Sequence, residues 1–265
     1  MSSTVSTTPP GAGLHTQPAP RTTSMVQLTR VELRKSADTR AGRWLLVAIA
    51  AVALLVAGLQ LFFDDGVDGS FGYFFTASQF PVGFLLPVLG ILLVTSEWSQ
   101  RTAMTTFALV PVRSRVLTAK MLAAALLAVL GVLATLVVAA LATLLTPAVA
   151  GPASRWELSG AHLGQVLLVQ VVVVLVGVAF GMLLLSSPLA IVLYFLLPVV
   201  VTILVSSVAA LDWVRDWLDL TTTTIPMYDG QLAGQGWAQV GTSVALWLLL
   251  PLMAGWVRIQ RSEIA

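Results

Sequence analysis

Residues 161–210 read AHLGQVLLVQVVVVLVGVAFGMLLLSSPLAIVLYFLLPVVVTILVSSVAA, and this stretch contains no Asp, Glu, Lys or Arg. A helix needs about 20 apolar residues to cross a hydrocarbon core roughly 30 Å thick. The stretch is long enough for two such helices, and it is punctuated once, at Ser186, Ser187 and Pro188. The reading is a span over 161–185, a tight turn, and a second span from 189 to about 210. In lipid every backbone N–H and C=O must find its partner internally, so spans of this kind are helical.

The same pattern recurs on both sides. Apolar runs at 44–63, 76–95, 119–145 and 237–256 complete six expected spans. Trp44, Phe62, Phe63, Trp237 and Trp256 stand at their ends, where aromatic rings suit the membrane interface. Pro81 and Pro87 lie inside the second span; Thr146 and Pro147 are expected to end the third. Of the 265 residues, 57% are hydrophobic and 10% charged, against about 25% charged in soluble domains. The expectation is an all-α, polytopic membrane protein.

Basic residues give the orientation. Six spans put both termini on one side. That side then carries Arg21, Arg30, Arg34, Lys35, Arg40, Arg43, Arg101, Arg113, Arg115, Lys120, Arg258 and Arg261, twelve of the fourteen Lys and Arg. The positive-inside rule makes it the cytoplasmic side. The chain is expected to be a multi-pass protein of a bacterial cell membrane with cytoplasmic N and C termini. Lys35 and Lys120 are its only lysines.

Residues 1–24 are rich in Ser, Thr and Pro, have no apolar run of signal-peptide type, and read as a disordered tail. The chain changes character at Met25, which makes that residue a second candidate for the start of translation. Residues 25–43 (MVQLTRVELRKSADTRAGR) mix apolar and charged positions at helical spacing. They read as a short helix along the cytoplasmic face, with Arg and Lys toward lipid phosphates and Asp38–Thr39 ending the turn, or as a basic anchor that only sets topology.

Residues 94–122 read VTSEWSQRTAMTTFALVPVRSRVLTAKML and form the longest cytoplasmic connection between spans. Glu97, Trp98 and Arg101 fall within about one helical turn; Thr102, Thr105 and Thr106 follow, and Pro111 stops the helix. A charged pair with a Trp anchor suits docking of a partner protein, and equally suits a plain connector held by its charges. The segment resembles the cytoplasmic loop of bacterial ATP-binding-cassette permeases of the second exporter type. Glu97, Trp98, Arg101, Thr102, Pro111, Arg113, Ala119 and Lys120 occupy the places of that family's Glu–aromatic–x–x–Arg/Gly–Thr, Pro-x-Arg and Ala-Lys pattern. VELRK and Thr39–Arg40 resemble the family's elbow before the first span.

The resemblance implies a membrane-spanning exporter subunit that pairs with a second permease copy, or a related permease, and with separate ATP-binding subunits. Glu97, Trp98, Arg101, Thr102 and Arg113 would form the coupling element. No G-x-x-x-x-G-K-[ST] segment occurs in these residues, so ATP hydrolysis is expected in another chain and the protein itself is not expected to be an enzyme. Membrane lipids are expected contacts and nucleic acid is not.

The outer loop at 211–236 (LDWVRDWLDLTTTTIPMYDGQLAGQG) places Trp213 and Trp217 on one helical face, with Asp212, Asp216 and Asp219 on the other side. The resemblance makes it a re-entrant hairpin capping the exit; as residues alone it reads equally well as an interfacial loop. Polar residues inside the spans include Gln60, Gln79, Gln165, Gln170, Tyr194, Thr202, Ser206 and Ser207. Such groups usually join helices, and Gln79, Tyr194 and Thr202 are the candidates for a pathway. Spans one, two and five are expected to line it. No ionisable residue lies deep in a span, which argues against ion-coupled transport.

With no cysteine and only His15 and His162, thiol chemistry is excluded, and no metal or other cofactor is expected. His162 would be the one histidine near a span available to an intramembrane serine protease. The alternative to transport is a non-transport membrane scaffold or an immunity or regulatory protein.

Overall fold

The computed structural model describes residues 23–63, 69–149 and 154–261. The tail expected at 1–24 therefore lies almost wholly outside the described residues. The chain is all-α and polytopic. Its helices are α1 (Met25–Asp38), α2 (Arg40–Phe63), α3 (Phe71–Ser99), α4 (Ala103–Leu109), α5 (Arg113–Val149), α6 (Gly160–Leu184), α7 (Ser187–Ser207), α8 (Asp212–Leu218), α9 (Leu220–Tyr228), α10 (Gly236–Val244) and α11 (Leu250–Arg261). A π-helical turn at Ala245–Leu249 joins α10 to α11. Among the described residues, six helices are long and apolar enough to cross a membrane: α2, α3, α5, α6, α7 and the α10–α11 rod.

Each span exceeds or shifts from its expected bounds by a few residues, and α5 shows why. Pro147 was expected to end it, yet the helix runs on to Val149. A helical proline frees the carbonyl four residues before it. Here that carbonyl, Thr143 O, accepts from Ser154 Oγ at 2.7 Å. Helix α6 ends as expected before the Ser–Ser–Pro turn, with Leu185 left-handed at φ 54° and Arg258 donating to the Leu183 carbonyl.

Helices α3 and α6 form the centre and are the most buried of the six. Their backbones nearly touch. A Cβ on Gly177 would stand 2.4 Å from the Pro87 carbonyl oxygen, and one on Gly90 would stand 2.8 Å from that of Val174. Small residues at such a crossing let dispersion act over a long contact where lipid offers no hydrophobic drive. Helices α2 and α7 lie outside this centre and expose most of their apolar side chains.

The elbow helix forms where expected. Ser24 caps it with a reciprocal Ser24–Gln27 capping box, and it ends at Asp38 with Thr39 as C-cap. Its buried face is polar, composed of Thr29, Glu32 and Ser36. That face packs against α5, α2 and α3, so α1 is docked onto the bundle by more than lipid contact.

Candidate functional site

Among the described residues, two regions at opposite ends of the bundle hold the buried charged side chains. The first joins α1, α3 and α5. Spacings of three and four residues put Thr29, Glu32 and Ser36 on one helical face. Glu32 thereby reaches Lys120, eight residues into α5 counting Arg113 as the first, with Lys120 Nζ to Glu32 Oε2 at 2.6 Å. Lys120 also donates to the Leu93 carbonyl at 2.8 Å and lies 3.2 Å from Glu97 Oε1. An ammonium has three donors, so this group is fully satisfied. Lys35 closes the figure, with Nζ 2.8 Å from Glu32 Oε1 and 2.7 Å from Glu97 Oε1.

The result is a square of alternating charge, net zero, in which both lysines of the chain meet two of its glutamates. Glu32, Glu97 and Lys120 are buried, and the Lys35 side chain is 44% exposed. Burial pushes the Lys35 ammonium toward its neutral form, but the hydrogen bonds and charges of Glu32 and Glu97 outweigh that and hold it above the ordinary lysine value.

This placement changes the role expected for Glu97. Its carboxylate faces the interior, and Thr106 of α4 donates to the same Oε1 at 3.3 Å. Lys35, expected among lipid phosphates, is turned inward as well. Trp98 packs against the apolar core, and Arg113 donates to the carbonyls of Ile259 and Gln260 at the end of α11 while lying over the Phe107 ring. Arg101 and Thr102 are exposed; Arg101 makes a left-handed turn at φ 56° between α3 and α4. Helix α4 touches the bundle through Ala103 and Phe107 and turns Met104, Thr105 and Leu109 outward, with Val112 exposed just beyond it.

The second region lies toward the other end. The Tyr228 carbonyl at the end of α9 accepts from His162 Nε2 at 2.7 Å and from Thr76 at 3.3 Å. Met227 groups with Val169 and Val173, and Leu220 with Val176 and Phe180. Helix α9 therefore packs along α6, antiparallel to it. His162 is thus a tie between α9 and α6, closed by Gly230, where a φ of 67° and the 2.6 Å that would separate an added Cβ from the His162 Cβ exclude a side chain.

Asp219 caps α9. Placed by the sequence with Asp212 and Asp216 on the side away from Trp213 and Trp217, it is fully buried. It accepts from Thr202 of α7 (3.1 Å), from Thr222 (2.7 Å) and from the Thr221 N–H (3.1 Å). Asp212 and Asp216 instead pair with Arg215, and Trp213 is exposed while Trp217 is half-buried and lends its carbonyl to Thr242. A search of the spans alone could not find Asp219, because it enters the interior on a helix too short to be a span.

A cavity of about 450 Å³ opens between α3, α6, α7 and α9, a size usual for drug-like ligands. Its walls are mostly apolar and aromatic, with Phe84 and Phe195 rings 4.5 Å apart and Tyr194 edge-on to both Phe195 and Phe180. Gln79 and Tyr194 line it; Thr202 does not, because its hydroxyl is engaged by Asp219. The walls come from α3, α6, α7 and α9 with Trp247 of the π-helical turn, and α2 contributes none. No family model matches this chain, and no match is found among curated proteins.

Proposed function

We propose that this chain is the membrane-spanning subunit of an ATP-driven exporter, worked through α4 by a separate ATP-binding subunit. The observation that supports this best is the contrast between α4 and its mounting. A short helix lies against the bundle through Ala103 and Phe107 and turns Met104 and Leu109 outward beside the exposed Arg101, while the residues carrying it are tied through Glu97 to α1 and α5. Force on α4 would move α1, α3 and α5 together, since the charge square makes independent motion costly.

In this reading the basic end faces the cytoplasm of a bacterial cell, by the positive-inside rule. A second permease copy would sit against α7, the least covered span. The partner contacts would come from Arg101, Thr102 and the outward side of α4, with Glu97, Trp98 and Arg113 acting as the mounting.

The test is co-expression with the ATPase encoded beside this chain, followed by purification in mild detergent. Wild type should retain the ATPase at about one to one, and Arg101→Glu with Leu109→Asp should release it while leaving the thermal melt unchanged. If no ATPase co-purifies under any nucleotide condition, the transport reading fails and the non-transport membrane protein takes its place.

A further inference from the structure

Two hydroxyls stand in an apolar cavity with nothing to bond. Tyr194 of α7 and Tyr228 of α9 both line the cavity described above. Neither phenol oxygen has a hydrogen-bond partner among the described residues; the bonds at Tyr228 are those of its carbonyl. Among the described residues, the side-chain oxygens that are both sealed off and unpartnered belong to Gln60 and Gln170, so the two phenol oxygens reach open space. The Tyr194 ring is held edge-on by Phe180 and Phe195. The Tyr228 hydroxyl lies 3.0 Å from where a Cβ on Gly83 would stand, and Gly83 is a wall residue near the middle of α3. That hydroxyl is therefore well inside the span and away from its aqueous end. An O–H held there without an acceptor is costly, and a bound acceptor removes the cost.

The rest of the wall says what carries the acceptor. No Asp, Glu, Lys or Arg lines the cavity, so an ion would meet no counter-charge. Phe84, Phe180, Phe195 and Trp247 supply aromatic surface, which suits a flat ring system. Other wall donors are spent within the protein. Gln79 donates to Thr135 and to the Phe75 carbonyl, Thr76 to the Tyr228 carbonyl, Thr224 to the Leu220 carbonyl and the Trp247 indole to the Leu218 carbonyl. Phe80, Val199 and Ile225 line the cavity and are exposed, so it opens on the side of the bundle through an apolar mouth between α3, α7 and α9.

We propose that this cavity binds an uncharged, membrane-soluble molecule with a flat ring system and a carbonyl group that accepts from the Tyr228 hydroxyl, Tyr194 offering a second donor. A carbonyl suits the site because a phenol is a better donor than acceptor, its lone pairs being shared with the ring. A hydrocarbon would leave both hydroxyls unmet, and a carboxylate would arrive with no cation to meet it. The inference needs no ATPase, so it stands or falls apart from the exporter reading.

The test uses the full chain in neutral phospholipid vesicles, photolabelled with an apolar aryl diazirine, with labelled peptides mapped by mass spectrometry. Three competitors share one flat skeleton: fluorenone carries a carbonyl, fluorenol a hydroxyl and fluorene neither. They are compared at equal concentration in the membrane. Fluorenone should halve the labelling of residues 76–84, 194–199 and 220–228 at a concentration about fivefold below that of fluorene, on the scale of one neutral hydrogen bond. Fluorenol should fall short of fluorenone, and labelling of α2 should not move. Tyr194→Phe with Tyr228→Phe removes two oxygens and keeps both rings. It should bring fluorenone to the fluorene value and leave fluorene unchanged. Equal competition by fluorenone and fluorene on wild type overturns the carbonyl assignment whether or not the double variant folds, and so does fluorenol matching fluorenone. A fluorenone preference that survives in the double variant overturns the role of the phenols. Labelling spread evenly over α2 and α5, and moved by no competitor, overturns the site.

Discussion

The two ends of the bundle bury carboxylates in different ways. Near the termini, Glu32 and Glu97 are met by two ammonium groups, Lys35 from Glu32's own helix and Lys120 from α5, and the square spans α1, α3 and α5. Toward the other end, Asp219 is met by two hydroxyls and one backbone N–H, two of the three donors lying within three residues of it. The first arrangement depends on long-range partners and fails as a unit. The second is mainly a helix cap with one bond across to α7. Rigidity is therefore concentrated at the end that carries α4, while the end with the cavity is held by contacts that break singly.

The largest expected effect follows from removing one corner of the square. Lys120→Met would leave two buried carboxylates facing Lys35 alone. Breaking a buried pair from one side costs about 3–5 kcal/mol, because the remaining charge is uncompensated. Thermal melting in detergent should show a marked loss of stability, and adding Glu32→Gln to the same chain should recover part of it. A Lys120→Met protein that melts like wild type would erase the distinction between the two ends.

The spans, the elbow and the Ser–Ser–Pro turn were legible because apolar run length and breakers act locally. The partners of polar groups were not. Glu32 drew no notice in the sequence, yet its place opposite Lys120 depends on how α1 folds back over α5. One signal was present: a chain that uses arginine at twelve basic positions keeps lysine at two, and those two share one cluster. Asp219 escaped because burial was read from the spans only. Gln79 and Gln170 were visible as polar residues in spans, but that Gln79 bonds Thr135 and Gln170 is set by helix packing.

A smaller effect is expected at the other end. Asp219→Ala removes the cap of α9 and the bond from Thr202, and loss of a helix N-cap costs about 0.5–2 kcal/mol. Asp219→Asn keeps an acceptor for the Thr221 N–H and should melt close to wild type. A loss from Asp219→Ala as large as that from Lys120→Met would show that this end too holds together as a unit.

Lys35 gives the smallest effect and the one that separates charge from packing. Its side chain is 44% exposed, so solvent screens its pairs, and Lys35→Met should cost no more than about 1 kcal/mol at neutral pH. Glu32 and Glu97 hold its folded-state proton more tightly than the unfolded chain does. A group raised in this way contributes fully below the ordinary lysine value, and its contribution is lost as pH rises through the raised folded value. The melting difference between wild type and Lys35→Met should therefore be flat from neutral to mildly alkaline pH and shrink only in strong alkali. A difference that persists undiminished there would assign the contribution of Lys35 to its apolar stem packing, and the square would then rest on Lys120 alone.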